Sequence, residues 1–237
     1  MSQTSKSKSL DLTVNGYGLS FGNSPRLNGI RINLVDSRLE QINGLNITLW
    51  KPKKNPGGQI NGLAIGLIGP GADEFNGIAI GGIGVAAESA LNGLSAGLVD
   101  VGSAGNVSGI SIGGIGLGAG GNVTGLSVGG IGVGGGGDIS GLTIGGIGVG
   151  SGRSIKGITI GGVGVGASED ITGLSFGLVG VGSGKIMKGI SIGGVGVGAG
   201  ERIQGIMISG VAVGAPEVVG LTIAGFAAGG DYVKGLT

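Results

Sequence analysis

Neither cysteine nor histidine occurs in the 237 residues. Their absence removes the thiolate nucleophile, the imidazole base, any disulfide framework and any zinc site built from nitrogen and sulfur ligands. Aromatic residues amount to 3% and charged residues to 11%, and 14 Lys and Arg against 13 Asp and Glu leave a net charge of +1. That balance supplies no footprint for a polyanion, so nucleic acid is not expected as a partner. The scattered carboxylates offer no dyad for general acid-base work. A noncatalytic protein without a cofactor is the expectation.

Proline is scarce as well, at five residues, whereas glycine reaches 64. Collagen is excluded because Gly does not fall on every third position. Disorder is excluded because the glycines alternate with Ile, Val and Leu, and the mean hydropathy is +0.49, so the chain has apolar surface to bury. Residues 101–137 carry no charge, yet so glycine-rich a stretch is a poor spanning helix. The breaks in its alternation also argue against a membrane barrel strand.

What remains is a repeat. Gly109, Gly125, Gly141, Gly157, Gly173, Gly189 and Gly205 stand sixteen residues apart, and Gly29, Gly44, Gly62, Gly77, Gly93, Gly220 and Gly235 extend the series at spacings of fifteen to eighteen. In the repeat around Gly141 the apolar positions are Ile139, Leu142, Ile144, Ile147 and Val149. Leu142/Ile144 and Ile147/Val149 have strand spacing, with slips of parity at Ser140-Gly141 and at Gly145-Gly146. Charged residues such as Arg153, Glu169, Lys185 and Glu201 mark a third break. The pattern predicts an all-β fold, a parallel β-solenoid of fifteen to sixteen residues per coil with two or three short sides. All five aliphatic side chains are expected to point inward. A single coil buries too little to offset its own ordering entropy, so stability must come from stacking.

Two outward surfaces follow. Gly132, Gly134, Gly148, Gly150, Gly164, Gly166, Gly180 and Gly182 flank the second apolar pair, which predicts a flat face free of side chains and open to self-association. The competing reading is that a narrow coil needs backbone freedom throughout. Ser111, Ser127, Thr143, Thr159, Ser175 and Ser191 form one column after the repeat glycine. By parity these hydroxyls are expected to face outward, where they either solvate the strand or bind ice, glycan or another repetitive ligand.

Other motifs are weaker. Gly180–Lys185 is only superficially like a phosphate loop, since Val179 and Ile186 occupy positions that would be Gly and Ser or Thr. Gly134–Asp138 suggests a calcium β-roll, but the equivalent residues Asn122, Ser154, Asp170 and Ile186 cannot form a regular carboxylate cage. Asn-Gly recurs at Asn15, Asn28, Asn43, Asn61, Asn76 and Asn92. Asn there could form ladders between coils, but a corner role is the preferred expectation.

The expected organisation is a flexible tail at 1–12, charged capping coils at 13–50, a loop insertion at 51–60 and regular coils over 61–237. Trp50 beside Lys51, Lys53 and Lys54 could touch an anionic surface, although a solvated loop with a tucked Trp is the commoner arrangement. Residues 1–12 hold no apolar core of a signal peptide, and the chain stops in mid-repeat, which suggests truncation or end-to-end assembly.

Asn61-Gly-Leu-Ala-Ile-Gly-Leu-Ile68, Asn76-Gly-Ile-Ala-Ile-Gly-Gly-Ile83 and Asn92-Gly-Leu-Ser-Ala-Gly-Leu-Val99 resemble the units of bacterial surface repeat-containing proteins. The resemblance runs from about Asn15 to the end. It implies an envelope or extracellular location, against the cytoplasmic one that a native lack of leader would give, and it transfers no activity. The expectation is a structural surface protein that self-associates, with a binding module using the hydroxyl column as the alternative.

Overall fold

The computed structural model describes residues 9–50, 52–53 and 57–237, and every regular element among them is a β-strand. Residues 1–8 of the expected tail, and Lys51 and Lys54 of the insertion, lie outside the described residues. The chain divides into two compact units between Gly113 and Gly114.

The first unit opens with a hairpin. Ser9–Val14 pairs antiparallel with Tyr17–Gly22 across Asn15 (φ 52°) and Gly16 (φ 79°). Positive φ at both central residues is the primed turn whose twist suits a two-residue hairpin, and Asn-Gly is its preferred sequence. Residues 9–12 are therefore strand and not tail. From Tyr17 onward all pairing is parallel: Tyr17–Gly22, Arg26–Asn33, Gln41–Thr48, Gln59–Gly66, Gly71–Gly81, Gly84–Gly97 and Asn106–Gly113 stack in order. This is a parallel β-solenoid.

The second unit is a more regular solenoid with two strands per coil. Ile139–Gly145 and Gly148–Ser151 make one such coil. Each strand pairs in parallel with its counterpart sixteen residues later, Ile139 opposite Ile155 and Val149 opposite Val165. The bends are tied together too: the Ile147 N–H donates to the Ile131 carbonyl, and the Val179 N–H to the Val163 carbonyl at 2.8 Å.

The direction of the side chains corrects the sequence reading. Ile139 and Val149 are buried as expected, but Leu142 is 38% and Ile147 54% exposed, while Thr143 is 1% exposed. Gly141 and Leu142 are both exposed, Ile139, Thr143 and Gly145 share the inner face, and Leu142 and Ile144 lie on the outer one. The slip expected at Ser140-Gly141 does not exist. The slip at Gly145-Gly146 does, as a bend at Gly146-Ile147 that leaves Ile147 on the outside of the corner. A Cβ added to inward Gly145 would sit 2.1 Å from the Gly148 carbonyl oxygen, so Gly145 itself admits no side chain.

The repeat glycine has a different reason to be invariant. Gly141 has φ 109°, and a Cβ on it would lie 2.2 Å from the carbonyl oxygen of Gly125 in the preceding coil. Gly157, Gly173, Gly189 and Gly205 repeat that contact. Backbone presses on backbone there, and only hydrogen fits.

In the first unit the Asn-Gly asparagines form a ladder, not merely a corner. Nδ2 of Asn43, Asn61, Asn76 and Asn92 donates to Oδ1 of Asn28, Asn43, Asn61 and Asn76 in turn, at 2.7 to 3.0 Å. Parallel in-register stacking brings identical amides to hydrogen-bonding distance.

Candidate functional site

The hydroxyl column proposed as a binding face is inside the protein. Ser111, Ser127, Thr143, Thr159, Ser175 and Ser191 are all buried, in register through Ser127–Thr143, Thr143–Thr159, Thr159–Ser175 and Ser175–Ser191. In the first unit the Ser95 and Ser111 hydroxyls lie 2.7 Å apart. In the second, the hydroxyls of Ser127, Thr143, Thr159, Ser175 and Ser191 have no hydrogen-bond partner in the protein. Ser and Thr predominate in this column, and Met207, which follows Ser191 in it, is fully buried as well. The column's hydroxyls cannot meet an external ligand.

The glycine face is outside, and its two columns differ. At Gly134, Gly150 and Gly166 nothing lies within 4 Å of where a Cβ would be, and at Gly182 the nearest atom is 4.0 Å away. At Gly132, Gly148, Gly164 and Gly180 a Cβ would stand 3.2 to 3.4 Å from the carbonyl oxygen of the next coil. The first column is thus an open trough, and the second is backbone already close to its neighbour.

Beside the trough stand aliphatic columns that the sequence reading had placed inside. Ile131, Ile147, Val163, Val179, Val195 and Val211 line the bend, and Leu142, Ile158, Leu174, Ile190 and Ile206 line the outer face of the long strands. A hydropathy pattern alone could not assign them, because both faces of these strands carry residues a solenoid interior can accept.

Several charges at the third break pair across coils. Arg153 and Lys156 approach Asp138 at 3.8 and 3.7 Å, Lys185 approaches Glu169 at 3.5 Å, and Arg202 meets Glu217 at 2.6 Å. These exposed pairs join successive coils and contribute little each, about 0–1 kcal/mol. The residues weighed as a calcium series act on the backbone instead. Oδ1 of Asn122 accepts the Asp138 N–H, Oδ1 of Asp138 the Ser154 N–H, and Oδ1 of Asp170 the Ile186 N–H, at 2.8 to 3.2 Å. Lys185 of the phosphate-loop-like stretch follows the strand Gly180–Ser183, and another strand, Ile186–Gly193, comes after it.

The first unit contains a polar core that the sequence reading missed. Nη1 of Arg31 donates to Oδ1 of Asp36 and to Oδ1 of Asn46, both at 2.8 Å, and Nη2 donates to Asn23 at 2.9 Å. Thr48 and the Gly71 N–H donate to the other Asp36 oxygen at 2.7 and 3.1 Å. Arg31 and Asp36 are fully buried. Burial pushes the Arg31 guanidinium below its ordinary pKa, and the Asp36 charge opposes that push. Arg31 falls in the same inward column as Ser20, Asn46, Ala64 and Ala79, which continues to Ser95 and Ser111, so the parity that placed the hydroxyls outside placed Arg31 there too. Trp50 is half exposed, not tucked.

Among the described residues no group of three or more His, Cys, Asp or Glu could hold a metal ion, and no helix is long and apolar enough to cross a membrane. The surface that stands out is therefore apolar and repetitive: aliphatic ridges beside a glycine trough. Comparison with family models, with curated proteins and with solved structures returned no match.

Proposed function

We propose that this chain is a noncatalytic structural protein, a rigid β-solenoid that associates with copies of itself through its glycine and aliphatic faces. The observation that carries the reading is the set of exposed columns at Leu142 and Ile147 and their equivalents, which find no cover within the second unit. A contiguous apolar patch larger than a few hundred Å² on a protein surface usually marks a site of association. Arg153, Lys156, Lys185 and Arg202 pair with carboxylates across coils away from the glycine columns. A bacterial cell-surface setting agrees with the N-G-L-x-I-G-L repeats and rests on that resemblance.

Binding of ice or glycan through the Ser/Thr column is not retained, because that column is buried. Sedimentation velocity across a dilution series tests the reading. The expected outcome is a mass that rises with concentration, and a strict monomer at the highest soluble concentration removes self-association.

A further inference from the structure

We propose that two copies of the chain pair in parallel, each laying the aliphatic ridge of its bend into the glycine trough of the other. This rests on the self-association proposed above and names the surface and the geometry. Ile147 stands at the bend, 54% exposed, with Val163 and Val179 continuing the ridge at similar exposure. Gly150, in the same coil, leaves open space where a side chain would project, and so do Gly134 and Gly166. Three residues separate ridge from trough, about 10 Å along the strand.

Symmetry then selects one arrangement. A two-fold axis parallel to the direction of stacking carries the ridge of the second copy over the trough of the first, and the reverse, so both are filled at once. A two-fold axis across the stack sets ridge on ridge and leaves both troughs empty. The favoured pair is therefore parallel, with each coil facing its own counterpart, an isologous contact. A second copy is also the partner whose period matches without adjustment. Ridge and trough both repeat once per coil, about every 4.8 Å, and a surface with any other period drifts out of phase over several coils.

The area sets the strength. Strands of four residues over about seven coils make a face of about 450 Å² per copy, below the roughly 800 Å² per partner of a standard interface. The dimer is consequently weak and must be trapped to be mapped.

The natural absence of cysteine makes trapping direct. Full-length Ile147→Cys and Gly150→Cys chains, one carrying an affinity tag, are mixed and mildly oxidised, with Lys156→Cys, away from the glycine columns, as the control. The expected result is a mixed 147–150 disulfide in clear excess over either homodimer and over any dimer of the control. A second variant, Gly150→Leu with Gly166→Leu, fills open space and should keep its circular dichroism and melting temperature while losing association. Dominant 147–147 cross-links overturn the parallel arrangement. Association in sedimentation without enriched 147–150 cross-links, or unaffected by the leucines, overturns this interface but leaves self-association standing. A strict monomer that forms no cross-link overturns both.

Discussion

Gly141 faces the carbonyl oxygen of Gly125 so closely that a Cβ on Gly141 would stand 2.2 Å from it, whereas a Cβ on Gly150, nine residues later, would meet nothing within 4 Å. The same residue type thus has opposite roles within one coil. At Gly141 the positive φ and the carbonyl both exclude a side chain. At Gly150 nothing within the chain excludes a side chain, and glycine there adds freedom to the unfolded state.

Alanine at the two positions separates the roles. Gly141→Ala is expected to lower stability by at least about 1–3 kcal/mol, read as a fall in the denaturation midpoint. Gly150→Ala should be neutral or stabilising by about 0.4–1 kcal/mol. Equal losses at both would mean that the outer glycines are also constrained.

Removing one member of the Arg31–Asp36 pair strands the other. Asp36→Asn leaves the guanidinium buried without its carboxylate, for which a loss of about 3–5 kcal/mol is expected. Hydrogen exchange should report it as lost protection in Arg26–Asn33 and Gln41–Thr48, which flank the cluster. Unchanged protection there would show that Asn23 and Asn46 suffice to hold the arginine.

The interior hydroxyls give a test with the opposite sign. Thr143 and Thr159 bury hydroxyls that find no partner in the protein, and an unsatisfied buried group costs about 1–3 kcal/mol. Thr143→Val and Thr159→Val keep the shape and should raise the melting temperature. Thr143→Tyr should unfold the local coils by overpacking. A tyrosine tolerated without loss would place this column on the surface after all.

The amide ladder predicts a loss at its centre. Asn61 donates to Asn43 and accepts from Asn76, so Asn61→Ala should cost about 1–3 kcal/mol for two hydrogen bonds. Denaturant unfolding measures it, and a neutral result would mean the ladder is incidental to stacking.

Period and pairing were legible because they are one-dimensional. A glycine every fifteen or sixteen residues, with strand-spaced aliphatics between, is compatible with winding once per repeat, and parallel register follows from that alone. The glycine face was legible for the same reason, since a residue without a side chain leaves the same mark on a surface whatever surrounds it.

Inside and outside were another matter. Leu142 looked like core and Thr143 like surface, and the structure reverses them. Hydropathy ranks each residue against water, but it does not say which of two alternating faces a coil closes over: Thr143 lies between Ile139 and Val149, and Met207 occupies the same column fully buried. Arg31 was missed on the same ground, because it stands in the Ser/Thr column that parity had placed outside. By itself the sequence determined how often the chain returns and which strands meet, because repetition is a property of order along the chain. Only the tertiary structure decided which face is buried, because either face of an alternating strand can turn inward and the closure of the coil selects one.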